Sequence, residues 1–113
     1  MSVSLHVAEK NEVRWSEEIA YGAEYAEKFR EILYLFGVSV SGYDPTDFEI
    51  LKSDIGEMLQ SLVAHDSFYE EVRAEFIDIL DSMGICESDL LADLRKIFSL
   101  SDPNNEWVRV SWF

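Results

Sequence analysis

The chain of 113 residues is one domain's length, and its 48% hydrophobic and 13% aromatic content is that of a folded protein rather than a disordered one. Twenty-three Asp and Glu against nine Lys and Arg leave a net charge of −14, which disfavours direct contact with nucleic acid or an anionic membrane, since both need clustered cations. The single cysteine, Cys86, excludes an internal disulfide.

The segment Met1 to Val7 lacks the basic region and long apolar run of a signal peptide. No stretch approaches the ~20 apolar residues of a membrane span, so a cytoplasmic protein is expected. Val3, Leu5 and Val7 alternate with Ser4 and His6, the period of a half-buried strand. Ser16 then reads as the cap of a first helix, with Glu17 and Glu18 in its first turn, where the helix dipole favours anions. Tyr25, Ala26, Phe29, Leu33 and Phe36 share one side of that helix, and Gly37 ends it.

Val38 to Tyr43 is a short connector that could be extended. In Asp44-Pro45-Thr46-Asp47, an Asp cap followed by Pro at the first position predicts the start of a second helix. Its buried stripe is Phe48, Leu51, Ile55, Leu59 and Leu62. Ser67-Phe68-Tyr69-Glu70 has capping-box spacing and opens a third helix. That helix buries Phe68, Val72, Phe76, Ile79, Leu80 and Met83, and Gly84 closes it. A fourth runs from about Glu87 to Ser99 on Leu90, Leu91, Leu94, Ile97 and Phe98. Beyond the turn cluster at 101–105, Trp107 to Phe113 has strand composition. The expected fold is therefore mainly α: residues 1–113 as one acidic helical domain, a compact bundle of about four amphipathic helices. Short terminal strands could pair with each other.

Chemistry-bearing patterns are thin. His6, His65 and Cys86 stand at no zinc-ligand spacing, and no acidic segment has the glycine and terminal Glu of a calcium loop. Five scattered glycines make no phosphate loop. Cys86 falls near a helix start, where a thiol can be activated but where a small residue also fits for structural reasons. No metal, cofactor or catalytic residue is expected, and the chain does not read as an enzyme.

The carboxylates instead suggest a partner. On the first helix Glu17, Glu24, Glu27 and Glu31 lie opposite the apolar stripe. On the third, Glu70, Glu71, Asp78 and Asp81 do so, with Glu75 at the margin and Arg73 as partial offset. The second predicted helix adds Glu49, Asp54 and Glu57. A duplex segment of domain length, some 27 Å, carries about 16 phosphates, close to this chain's total charge. One acid per ~5.4 Å turn is sparser than that, so two helices side by side would be needed. Tyr34, Leu35, Trp107, Trp112 and Phe113 are candidate apolar anchors.

In size, acidity and helical pattern the chain resembles phage anti-restriction and anti-CRISPR proteins and nuclease-toxin immunity proteins. The likeness covers composition and length, and no motif matches a particular family. It implies a non-catalytic inhibitor occupying the basic site of a nucleic-acid-handling protein. The alternative is a structural or adaptor protein, dimeric or otherwise, whose terminal strand or aromatics make the contacts.

Overall fold

The structure, a computed structural model, describes residues 4–10, 14–15, 19–22 and 25–112. Its order is β1 (Ser4–Lys10), β2 (Arg14–Trp15), β3 (Ile19–Gly22), α1 (Ala26–Leu35), β4 (Val40–Asp44), β5 (Asp47–Leu51), α2 (Lys52–Ala64), α3 (Ser67–Met83), α4 (Glu87–Leu100) and β6 (Trp107–Trp112). The fold is α+β. An antiparallel sheet in the order β2-β1-β6-β5-β4, with β3 also on β1, carries the helices. The expectation of an all-α bundle with minor terminal strands is therefore wrong, and two segments account for the error.

The first lies ahead of α1. Arg14–Trp15 and Ile19–Gly22 are strands on β1, with Leu5 opposite Ile19 and Ser4 opposite Gly22. The helix expected from Ser16 begins only at Ala26. Without these strands β1 would have an unpaired edge, and satisfying that edge outweighs a modest helical propensity.

The second is 40–51, where a hairpin replaces the first turns of the expected second helix. Asp44-Pro45-Thr46-Asp47 is its turn: the Asp44 carboxylate accepts from the Thr46 N–H and hydroxyl, both at 2.9 Å. Those bonds hold its pKa below the usual range, the backbone bond first. Asp-Pro serves a turn as well as a helix cap, so local residues did not discriminate. Pairing of β5 with β6 over five residues, from Asp47 opposite Ser111 to Leu51 opposite Trp107, selects the strand.

The bulge in β4 requires glycine. Ser41 pairs with Glu49 and Asp44 with Asp47, so Gly42 and Tyr43 together face Phe48. Gly42 has φ +117°, and an added Cβ would lie 3.4 Å from the Phe48 Cα. Gly42→Ala is expected to destabilise by about 1–2 kcal/mol, read as a fall in denaturation midpoint with unchanged slope.

β1 and β6, the outermost strands in sequence, lie side by side: Leu5 faces Trp112, and Val7 faces Val110. β6 is flanked on its other side by β5, so it has no free edge. Leu5, Val7, Phe48, Ile50, Val108 and Val110 form the buried sheet face, continuous with Phe29, Ile32, Ile55, Phe76, Leu80, Leu90 and Leu94 from the helices. Trp112 joins Phe29 edge-on at 6.0 Å and Phe48 at 5.7 Å. Among the described residues no helix is long and apolar enough to cross a membrane.

Candidate interaction surface

α3 is held by its first turn. Asp66, not Ser67, is the cap: one carboxylate oxygen accepts from the Tyr69 N–H at 3.0 Å and the other from the Ser61 hydroxyl at 3.0 Å. His65 ends α2 in the left-handed conformation, φ 50°, and stacks on the Tyr69 ring at 4.1 Å and 4°. Glu87, in the first turn of α4, takes His65 Nε2 on one oxygen and the Tyr69 hydroxyl on the other, each at 3.0 Å. One carboxylate thereby ties three helices together. The buried stripe of α3 is Tyr69, Phe76, Leu80 and Met83. Phe68, expected inside, is 40% exposed. Gly84 closes the helix at φ 71°.

Burial raises the Tyr69 pKa first, the hydrogen bond to Glu87 and its charge add to this, and Arg73 opposes it. A raised value means the folded state holds the proton more tightly than the unfolded chain. The stabilisation is complete below the unfolded value of about 10 and is lost as pH rises through the folded one. Unfolding measured from pH 8 to 11 should show wild-type stability falling more steeply above about pH 10 than that of Tyr69→Phe.

With Tyr69, Phe76 and Leu80 facing inward, Glu70, Glu71, Glu75, Asp78 and Asp81 are all exposed. At about 100° per residue these five carboxylates occupy an arc of about 140° opposite the buried stripe. Arg73, the only cation of α3, lies outside that arc, on the margin beside Tyr69. Among the described residues none of the five is in an ion pair; the pairs present are His65–Glu87 and Arg109–Asp47. From Glu70 to Asp81 the axis rises about 16 Å, so the acids are spaced about 4 Å apart along it. One strand of duplex DNA has a phosphate every ~3.4 Å. α3 alone comes close to the density of that one strand, because its acids fill two adjacent rows rather than one per turn. It carries less than half the charge per length of the duplex, which has one per ~1.7 Å.

The other expected face does not assemble in the same way. Glu17 and Glu24 lie outside the described residues. Glu27 and Glu31 are exposed on α1 but share that helix with Lys28 and Arg30. They line a shallow concavity of about 400 Å³ with Arg30, Tyr34, Tyr43 and Pro45. Arg30 is engaged there, donating from Nε to the Tyr34 hydroxyl at 3.0 Å and from Nη2 to the Gly42 carbonyl at 2.7 Å. It thus occupies a carbonyl of β4, the sheet's edge. That concavity shares no residue with the shallow one on α3, lined by Glu70, Arg73, Ala74, Ile77 and Asp78.

The acids placed on the second expected helix also separate. Glu49 is on β5 opposite Arg109, which forks onto Asp47 at 3.2 and 3.0 Å. The hydrogen bonds to Asp47 raise the Arg109 pKa against burial. Asp54 accepts from the Ser39 N–H at 2.8 Å, and Glu57 is exposed.

Of the expected aromatic anchors, Trp107 is half-buried and Trp112 is in the core. Phe113 lies outside the described residues. Leu35 is half-buried, and Tyr34 is 54% exposed. Among the described residues Tyr43, Phe68 and Phe98 are exposed aromatics missed in the sequence. The hairpin brings out Tyr43, the true phase of α3 brings out Phe68, and Phe98, expected in the buried stripe of α4, is 37% exposed. Cys86 caps α4, its exposed thiol donating to Asp89 Oδ2 at 3.1 Å. Among the described residues no group of three or more His, Cys, Asp or Glu is placed to hold a metal ion. No protein-family model matches the chain, and neither a curated protein nor a solved structure matches it.

Proposed function

We propose that the protein is a non-catalytic cytoplasmic binding protein whose α3 face occupies the basic surface of a nucleic-acid-handling protein and inhibits it. The observation that carries this reading is the row of five exposed α3 carboxylates with no cation inside their arc. Their spacing near that of a phosphate strand suits a surface built for nucleic acid. With the whole chain at −14, encounter with a basic partner is accelerated and anionic partners are repelled.

The test is capture of lysate proteins on the immobilised chain at low salt, followed by a salt gradient. The retained protein should be a nuclease or another nucleic-acid binder, should elute as ionic strength rises, and should lose activity when the free chain is added. Retention indifferent to salt would overturn the reading. It would favour instead an adaptor contact through Tyr34 and Tyr43 beside the β4 edge, where Tyr43 is fully exposed. Pairing of two β4 edges would make that contact a homodimer.

A further inference from the structure

We propose that the cleft where the C-terminal end of α1, α2 and the first turn of α3 meet is a slot for one arginine or lysine side chain of the partner. This rests on the function proposed above and names the anchor that would fix a basic partner on α3. The cleft holds about 190 Å³ and is lined by Phe36, Asp54, Glu57, Met58, Ser61 and Phe68, besides Gly37. That is below the ~300 Å³ at which small-molecule sites begin, and it suits a single long side chain.

Its lining divides into an apolar part and an anionic part. Phe36 and Phe68 meet at 6.0 Å with their rings tilted 58°. Phe68 is left 40% exposed beside Met58. A methylene stem covers such a surface, and the ring faces attract the cation it carries. Asp54 is fixed by the Ser39 N–H on Oδ2, leaving Oδ1 without a partner among the described residues. Glu57 stands one turn further along α2 and is exposed. The negative end of the α1 dipole adds to both, since the last turn of α1 carries no basic residue. Among the described residues no cation lines the cleft. An apolar occupant would strip water from Asp54 and Glu57 without replacing its hydrogen bonds, whereas a guanidinium or ammonium supplies them.

The slot is continuous with the acid face. Phe68 precedes Glu71 by three residues and Glu75 by seven, so all three lie along one side of α3. A basic surface laid on α3 therefore carries its side chains past the mouth of the cleft.

The probe is acetyl-arginine amide, titrated into protein labelled at its methionine methyls and followed by NMR. The Met58 resonance should shift saturably while Met83 stays in place. The uncharged isostere acetyl-citrulline amide should leave both unmoved, and Glu57→Gln should weaken arginine binding about tenfold. No saturable shift at Met58, or equal binding of citrulline, would overturn the slot. Phe68→Ala and Glu57→Gln should each also weaken the partner captured through α3, with folding verified by circular dichroism. Unchanged partner affinity in both overturns the slot while leaving the α3 face standing. A slot that binds arginine amide while α3 charge reversal leaves the partner bound upholds the slot and removes the proposed inhibitor role.

Discussion

Replacing Glu70, Glu71, Asp78 and Asp81 with lysine is expected to leave the protein folded and to abolish binding of its basic partner. All four side chains are exposed, and none is in an ion pair among the described residues. Lysine is at least as good a helix former as aspartate. The one unfavourable change is at Glu70, whose charge in the first turn of α3 complements the helix dipole at about 0.3–1 kcal/mol. Lysine at position 81, near the other end, gains a similar amount. The denaturation midpoint should therefore hardly move. Binding responds differently, because each reversal turns an attraction into a repulsion across the interface. At about 1 kcal/mol per site, four reversals amount to about 4 kcal/mol, or roughly a thousandfold in Kd at moderate ionic strength. Glu70→Gln or Asp78→Asn alone should give a small fraction of that and a shallower salt dependence. Calorimetric titration of the reversed variant against the captured partner is the measurement. Affinity within threefold of wild type, about 0.6 kcal/mol, would detach α3 from the interaction.

The second large effect concerns the fold. Phe48→Ala should cost about 3–5 kcal/mol, a substantial part of the stability of a domain this size. Phe48 is 2% exposed, packs on Trp112 at 5.7 Å, and lies 5.1 Å beneath the Arg30 guanidinium. Truncation would leave a cavity between sheet and helix and remove the support under Arg30, which holds the β4 carbonyl. A thermal midpoint lower by about 10–20 °C is expected, with the loss of cooperativity beginning in the hairpin. Phe68→Ala, by contrast, removes a side chain that is 40% exposed and should cost little. The contrast separates the two phenylalanines that a helical stripe places on equal footing.

That equality shows where local pattern runs out. Phe48, Leu51 and Ile55 fit a period near four, while Asp47, Phe48, Glu49 and Ile50 alternate with a period of two. Both readings are present in the one stretch 47–55, and Asp44-Pro45 opens either element. Which one forms depends on β6, sixty residues away, offering a matching edge. The segment ahead of α1 is decided in the same manner by β1. In α3 the period was legible but the phase was not: Phe68 and Tyr69 are both aromatic, and the stack with His65 and the bond to Glu87 bring Tyr69 inside. The acids of α3 were legible because a stripe opposite Phe76 and Leu80 is exposed in either phase. Those of α1 were only partly so, since Lys28 and Arg30 share its surface.

By itself, the sequence determined the net charge, the helices α3 and α4, most of α2, the strand character of both terminal segments and the acid row opposite the core of α3. These follow from side-chain type and spacing within a few turns. Only the tertiary structure decided that 14–15, 19–22, 40–44 and 47–51 are strands, that β6 lies inside the sheet, and that Phe36, Met58 and Phe68 meet Asp54 and Glu57 in one cleft. A strand's hydrogen bonds belong to a partner distant in sequence, and a cleft belongs to three helices at once, so neither is encoded in the spacing of neighbouring residues.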